Sequence, residues 1–232
     1  MDEFAQRKGH QDFVTVVSDI EVAKPLEIIK GREGEKLIEV LSAEALEIRE
    51  GVEEVSVDMW GGFPKVIEAV FPNARIVYDR FHVMQQVNRE LNKLRKLMKV
   101  TKKHLKNWLL KNRKDLKKED KEKLDKILME HPCLKIAYDI KEELREIYEK
   151  RQTVKGGKRA IEKWLRTADV LYRKSARMIK SHLEGICNYF TNRTTNATSE
   201  GMNTKIKLIM RQGYGFSNFE NFQLRLLAAF DD

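Results

Sequence analysis

The first 88 residues alternate between the hydrophobic spacing of strands and that of helices, and this alternation constrains the fold most. Two β-rich runs, residues 13–21 (FVTVVSDIE) and 24–33 (KPLEIIKGRE), flank a short polar link. Such a pair predicts two antiparallel strands. Residues 34–51 then change to a spacing near 3.6, with apolar residues along one stripe. This pattern predicts one amphipathic helix that ends at Gly51.

The same region continues with a strand, a helix and another strand. The strand at residues 52–58 (VEEVSVD) runs up to a Gly-Gly turn, and the helix at 63–74 carries Pro64 in its first turn, where proline is tolerated. Residues 75–83 (RIVYDRFHV) are again β-rich. The order strand, strand, helix, strand, helix, strand predicts a mixed sheet with crossover helices, in the α/β (α+β) class.

Charge is distributed unevenly along the chain. Residues 1–88 carry 17 acidic and 10 basic side chains, whereas residues 89–182 carry 30 basic and 14 acidic ones. Leucines at helical spacing run through this basic stretch, so we predict a helical insertion at 89–185 between two parts of a core, 1–88 and 186–232. A solvated helix face explains any single lysine, but the excess favours a polyanion as partner, with nucleic acid first.

Several classes of protein are excluded by simpler features. No apolar run approaches the roughly 20 residues that span a bilayer, and the first residues lack the apolar core of a signal peptide. We therefore expect a cytoplasmic protein without membrane contact. Cys133 and Cys187 lack a paired spacing, which argues against a zinc knuckle or a disulfide framework. Aromatic residues at helical spacing in the insertion, such as Trp164 and Tyr172, predict core packing more than base stacking.

Two carboxylates follow predicted strands. Asp58 closes VSVD, and Asp79 closes RIVYD with His82 three residues later. Side chains at the carboxyl ends of neighbouring strands form the usual open site of α/β proteins, and acids there are able to share a magnesium ion. An aspartate at a strand end also commonly caps a turn or the next helix, so this alternative stays open for each.

A third acid, Glu200, begins a helical pattern after the polar run TTNATS. Its helix predicts two faces: Asn203 and Lys207 follow Glu200 on one, and the other is an inward apolar stripe of Met202, Ile206, Ile209 and Met210. Acid, amide and base in a row suit a metal ion and a phosphate chain. Favourable interaction with the helix dipole, worth about 0.3–1 kcal/mol, explains Glu200 equally well.

Four segments together resemble the catalytic part of a bacterial insertion-sequence transposase of the ISL-three family. They are DEFAQRKGH (2–10), VSVDM (55–59), FPNARIVYDRFHV (71–83) and SEGMNTKIKLIMRQGYGF (199–216), and the resemblance spans nearly the whole chain. It implies a ribonuclease-H-like fold, here a mixed sheet with a long basic all-helical insertion. It also implies DNA cleavage and strand transfer by a DDE triad with two Mg²⁺ or Mn²⁺ ions.

The resemblance assigns roles to individual residues. Asp2, ending the first strand, Asp58, following the fourth, and Glu200, on the helix after the insertion, would be the catalytic and metal-binding triad. Asp79, His82, Asn203 and Lys207 would be accessory residues near the site. Asp19 remains an alternative to Asp2, and Asp79 to Asp58. We favour Asp2 because Asp19 would leave one strand too few before the helix.

The implied partners are double-stranded DNA, as element ends and target, and a second copy of the chain in an active homodimer. We expect contacts to DNA from the basic residues Lys102, Lys103, Lys106, Lys205 and Arg211. Full-length relatives carry an N-terminal zinc-binding region and a helix-turn-helix, and neither precedes Asp2 in this sequence. The expectation is thus a truncated copy, active or inactive. The alternatives are a non-catalytic DNA-binding or assembly module and another ribonuclease-H-like nuclease.

Overall fold

The structure is a computed structural model that describes residues 1–7, 11–59, 61–194, 197–213, 216 and 218–230. The chain divides into two compact units. The first comprises Met1–Asp79 and Thr194–Asp232, and the second comprises Arg80–Arg193. None of the helices that the structure describes combines the length and the apolar character needed to cross a membrane.

Strands are confined to the first unit in the described part of the chain. This unit begins with β1 (Asp2–Arg7), β2 (Gln11–Asp19), β3 (Lys24–Lys30), α1 (Gly34–Ser42), α2 (Leu46–Glu50), β4 (Glu54–Val57), α3 (Phe63–Val70) and β5 (Arg75–Tyr78). The second unit holds α4 (Arg80–Leu97), α5 (Leu105–Leu110), a 3-10 turn (Arg113–Asp115), α6 (Lys118–Glu130), α7 (Pro132–Glu149), α8 (Val154–Ala168), α9 (Arg173–Ser181) and α10 (Leu183–Asn192). The chain returns to the first unit with α11 (Ala197–Gln212) and α12 (Phe219–Ala228).

The strands form two small sheets. In one, β1, β2 and β3 are antiparallel neighbours in that order, and Asp2 lies opposite Val16. In the other, β4 and β5 are parallel, and Val57 lies opposite Tyr78. The predicted antiparallel pair is confirmed as β2 and β3. The preceding strand β1 is an addition that the hydrophobic pattern did not reveal.

Alternating apolar residues place the sheet against the last two helices. Val14 and Val16 of β2 point to the same face and are buried, together with Ile28 of β3. They share a core with Ile206 of α11 and Leu226 of α12. Burial of each such side chain contributes about 1.5–3 kcal/mol. The predicted inward stripe of α11 is therefore confirmed, and it holds this helix on the sheet.

The single helix predicted for residues 34–51 is wrong. Two helices occupy the segment, because Ala45 has an extended backbone (φ −56°, ψ 141°) and becomes the residue before α2. The apolar Leu46 and Ile48 of α2 are exposed, so burial does not continue the stripe of α1. Arg49 of α2 instead donates a hydrogen bond to the carbonyl oxygen of Val70 in α3 (3.1 Å).

The strand predicted through Val83 is also too long. β5 ends at Tyr78, and the segment from Arg80 onward is the start of α4. Val83, Val87 and Leu91 are fully buried at four-residue spacing, the periodicity of a helix face. Helix α4 runs unbroken across residue 88, where the sequence predicted the end of the first core segment. The boundary between the two compact units lies after Asp79 instead.

The second unit has its own aromatic core. Trp164 of α8 is buried and donates its indole N–H to the carbonyl oxygen of Ile140 (2.7 Å). The buried Tyr172 donates its hydroxyl to the carbonyl oxygen of Ala137 (2.6 Å). Both aromatic residues satisfy their polar atoms within this core, so the prediction of packing is confirmed for them.

Candidate active site

Two of the predicted acids follow the parallel strands at the same edge of their sheet. Asp58 comes directly after β4, and Asp79 comes directly after β5. The backbone N–H of Asp79 donates to the carbonyl oxygen of Val57 (3.1 Å), which continues the parallel ladder beyond the strands. Asp58 is half-buried, whereas Asp79 is only 2% exposed. Asp58 is therefore the more accessible of the two carboxylates.

Asp2 begins β1, which corrects the expectation that it would end the first strand. The terminal amino nitrogen of Met1 donates a hydrogen bond to the carbonyl oxygen of Ser56 in β4 (2.8 Å). Burial lowers the pKa of this amino group to about 6, and the nearby carboxylates of Asp2 and Asp58 oppose the shift. Asp2 and Asp58 therefore both lie close to the Met1 nitrogen, although they come from distant parts of the sequence.

The negative charge of Asp58 contributes to raised pKa values of residues in β1 and β5. Burial raises the pKa of Glu3 in β1; the Arg32 guanidinium opposes this rise, and the carboxylates of Asp58 and Asp2 add to it. Burial also raises the pKa of the Tyr78 hydroxyl in β5, with further contributions from Glu68 and Asp58. Negative charge is therefore concentrated at the start of β1 and the end of β4.

Asp2 has a fixed carboxylate. Its Oδ1 atom accepts a hydrogen bond from the backbone N–H of Glu3 (2.8 Å), and its Oδ2 atom accepts one from the side-chain amide of Asn203. Each carboxylate oxygen has a second lone pair that these bonds leave available. The half-buried Asp2 side chain is thereby oriented without being saturated.

Asn203 brings helix α11 to the site. The buried Met202, Ile206 and Ile209 hold α11 in the first unit, and Asn203 lies on a different face of the helix. Position 200 is three residues earlier in α11, so positions 200 and 203 share that face. The side chain of Glu200 lies outside the described part of the structure, so its predicted role stays a prediction.

The carboxylate oxygens of Asp2 and Asp58 are ligands of the type that a hard divalent cation prefers, but the described residues supply only part of a coordination shell. Asp2 and Asp58 supply carboxylate oxygens near the amino nitrogen of Met1, and magnesium is usually held by one or two carboxylates with water and phosphate. Oε2 of Glu3 in β1 and Oγ of Ser56 in β4 are also buried without a hydrogen-bond partner in the described residues. Among side chains that the structure describes, no group of three or more His, Cys, Asp or Glu residues is arranged to hold a metal ion.

Asp19 has a different environment from Asp2. Its Oδ1 atom accepts hydrogen bonds from the backbone N–H groups of Glu21 (2.8 Å) and Val22 (3.2 Å) in the turn after β2. This is the capping role that short acidic side chains take in turns. The geometry supports Asp2 over Asp19 as the acid beside Asp58.

The remaining accessory residues are spread over both units. His82 belongs to α4 in the second unit, where its ring lies edge-on to Phe81 with centroids 5.6 Å apart. Lys207 is exposed on α11 in the first unit. Among these accessory residues, Asn203 has a described side-chain hydrogen bond to Asp2.

The predicted DNA-contacting residues are exposed and also belong to two units. In the second unit, Lys102 pairs with Glu130 (2.7 Å) and Lys103 and Lys106 are exposed. In the first unit, Lys205 lies over the ring of Phe230 (4.2 Å), and Arg211 is exposed near the end of α11.

Sequence reasoning overlooked Glu3 and Arg32. The Arg32 guanidinium lies 3.4 Å from Oε1 of Glu3 and 3.8 Å from the centroid of the Phe13 ring. The available signal for Glu3 was its place directly after Asp2 in the sequence. Arg32 lies in the segment after β3, and no local pattern connects it with the start of β1.

Comparisons with known proteins point to one kind of function. A family model described as a transposase, of the ISL-three group of DDE transposases, matches residues 1–226. The chain is also similar to the transposase for insertion sequence element IS1001 from Bordetella parapertussis, with 30% identity over an alignment of 250 residues. That alignment covers 99% of this chain and 60% of the relative, so the chain spans less than two thirds of the relative's length. No solved structure matches the chain.

Proposed function

This chain belongs to the ISL-three family of transposases, and we propose that it is the catalytic part of an enzyme that cleaves and joins DNA at the ends of an insertion sequence. The proximity of Asp2 and Asp58 to the Met1 nitrogen, which bonds to Ser56 of β4, carries the proposal. The two acids come from separate strands, and the amide of Asn203 reaches the same carboxylate from a third element.

The proposed architecture is a ribonuclease-H-like sheet. Extending the ladder from Met1 to Ser56 joins the two small sheets in the order β3, β2, β1, β4, β5. In this arrangement β1 is antiparallel to β2 and parallel to β4, which makes a single mixed sheet. Helix α11 packs on the β1–β3 sheet through Ile206, and the hydrogen bond of Asn203 to Asp2 supports a position for residue 200 near the start of β1.

The proposed cofactors are two Mg²⁺ or Mn²⁺ ions, held by Asp2, Asp58 and Glu200. When bound, such a pair supplies an activated attacking oxygen and stabilises the leaving oxygen in phosphodiester chemistry. The protein orients the Asp2 carboxylate between the Glu3 N–H and the Asn203 amide. Fixed ligands of this kind reduce the reorganisation needed when a metal and a phosphate enter the site.

The proposed substrate is double-stranded DNA, handled by a homodimer. The second unit supports a DNA partner because residues 89–182 carry 30 basic and 14 acidic side chains, whereas residues 1–88 carry more acidic than basic ones. Contacts from such side chains to phosphates supply sequence-independent affinity that falls steeply with salt. The paired acids and the basic helices together suit a protein that holds DNA while its backbone is cut.

A nicking assay tests the proposal. The protein is incubated with a duplex carrying the ends of the element, and Mg²⁺ or Mn²⁺ is added or replaced by EDTA. We expect metal-dependent nicks that Asp2→Asn, Asp58→Asn or Glu200→Gln each reduce more than about 100-fold, since even residues that support metal ligands are worth 10–100-fold. Asp19→Asn is the matched control, because its carboxylate caps a turn.

The products separate the alternatives. Joined products show strand transfer, whereas nicks without joined products favour another ribonuclease-H-like nuclease. Full activity in the Asp58→Asn or Glu200→Gln variant contradicts the assignment of the triad. Binding to DNA without metal-dependent nicking in the wild type favours a non-catalytic DNA-binding module.

A further inference from the structure

A second candidate site lies wholly within the helical unit. A half-open cavity of about 530 Å³ is formed between α4, α5, the 3-10 turn and α7. This volume lies within the range of roughly 300–1,000 Å³ typical of small-ligand pockets. The cavity contains none of the acids of the candidate active site. It therefore requires its own explanation.

One wall of the cavity is apolar and includes an exposed aromatic ring. Phe81, Met84 and Leu110 form this wall, and the side chain of Phe81 is 48% exposed. A single exposed aromatic residue is common on protein surfaces, but this ring lies beside other apolar residues in a concave site. A flat π-face of this kind suits stacking against a planar ring.

The lining of the cavity also includes two buried polar atoms. Oδ1 of Asn88 and Nε of Arg145 are buried and have no hydrogen-bond partner among the described residues. Nε of Arg145 forms an ion pair with Oε1 of Glu142 at 3.8 Å, a distance too long for a hydrogen bond. Oδ1 of Asn88 is thus the acceptor of the lining for which the described residues supply no donor. The edge of a nucleobase offers a donor for this oxygen.

The rim of the cavity is basic. Arg89 and Lys106 are exposed at the rim, where the lining includes one acidic residue, Asp115. Arginine and lysine bind phosphate through charge-assisted hydrogen bonds. An apolar wall with an exposed ring, an amide group with an unsatisfied oxygen, and rim cations match the sugar-and-base face, the base edge and the phosphate of a nucleotide.

We propose that this cavity binds a single nucleotide, with the base against Phe81 and its phosphate at Arg89 and Lys106. The inference rests on the proposed function in taking DNA as the source of the nucleotide. A base inside a duplex is stacked and inaccessible to such a cavity, so the nucleotide in DNA is an unpaired or flipped-out one. A free mononucleotide offers the same chemistry.

The test is a binding measurement with the full chain in EDTA. Fluorescence anisotropy compares a duplex carrying one unpaired adenine with the same duplex carrying an abasic site at that position. We expect about tenfold tighter binding to the unpaired base. Phe81→Ala and Asn88→Leu each reduce this preference to near unity. Leu97→Ala, a change at an exposed residue on the same helix, keeps it.

The outcomes separate this cavity from the catalytic proposal. Equal affinity for the two duplexes, together with no saturable binding of deoxyadenosine monophosphate, overturns the inference. A preference that persists in Phe81→Ala and Asn88→Leu overturns it too. Saturable binding of the mononucleotide that is lost in Asn88→Leu supports a nucleotide site filled from solution. The binding measurement is made in EDTA, without metal, so it does not depend on the nicking activity that the Asp58→Asn variant loses. If neither duplex binds, the proposed function is contradicted. Saturable binding of the mononucleotide then tests the cavity separately.

Discussion

The side-chain amide of Asn203 donates a hydrogen bond to Oδ2 of Asp2, although 201 positions separate the two residues in the sequence. The bond joins the second residue of the chain to a helix that follows the whole helical unit. It leaves the second lone pair of Oδ2 available to a cation. Asn203 is thus a positioning residue for the proposed metal ligand Asp2.

Removal of the hydrogen bond between Asn203 and Asp2 should reduce Mg²⁺-dependent nicking more than it reduces the stability of the fold. For Asn203→Ala we expect nicking to fall about 10–100-fold at low Mg²⁺, because residues that orient metal ligands have effects of that size. Raising the Mg²⁺ concentration should recover part of the loss, and a titration of rate against Mg²⁺ measures it. The control is Leu208→Ala, which changes an exposed residue of the same helix. A uniform loss at every Mg²⁺ concentration would contradict a positioning role.

The raised pKa of Glu3 predicts a dependence of stability on pH. Burial disfavours the charged carboxylate in the folded state, and Asp58 and Asp2 add to this effect against the opposing Arg32. Because the folded pKa lies above the unfolded one, the stabilising contribution is present at low pH and is lost as pH rises through the folded pKa. We expect the wild type to gain stability relative to Glu3→Gln as the pH falls from 7 toward the ordinary value of 4.5.

Urea unfolding of the wild type and Glu3→Gln at several pH values measures this difference. Glu47→Gln is the control, because it removes a carboxylate from exposed helix α2. If the difference in unfolding free energy between wild type and Glu3→Gln stays constant from pH 7 to pH 5, the pKa of the Glu3 carboxyl is not raised by burial in the folded state.

Two adjacent glycines of α8 should respond oppositely to the same change. A Cβ at Gly157 would lie 2.2 Å from the ring of Phe190, so Gly157→Ala forces neighbouring groups apart and should cost about 1–3 kcal/mol of unfolding free energy. A Cβ at Gly156 meets its nearest atom, Oγ1 of Thr153, at 3.4 Å. Gly156→Ala should be neutral or stabilise by up to about 1 kcal/mol, since alanine favours helix.

Thermal unfolding of both variants checks this pair. Each variant serves as the control for the other, because both replace a glycine of helix α8 with alanine. Equal melting temperatures for the two variants would show that α8 does not pack against Phe190 as closely as the structure places it.

The spacing of apolar residues along the sequence predicted the strands and helices that bury one face and expose the other. The strand pair β2 and β3 and the inward stripe of α11 follow from apolar residues at spacings of two and of three to four. The break at Ala45 could not be predicted this way, because the apolar pattern of residues 34–51 continues through it. Whether Leu46 and Ile48 are buried depends on neighbours distant in sequence, and both are exposed.

The sequence by itself determined that acids follow two strands, that a basic helical region interrupts the core, and that the chain resembles its family. These features are local in the chain, so spacing and composition report them. The tertiary structure decided that Asp2 and Asp58 both lie near the Met1 nitrogen and that Asn203 donates a hydrogen bond to the Asp2 carboxylate. Main-chain hydrogen bonds between distant strands carry no signature in side-chain spacing, so the pairing of Met1 with β4 emerged from the fold alone.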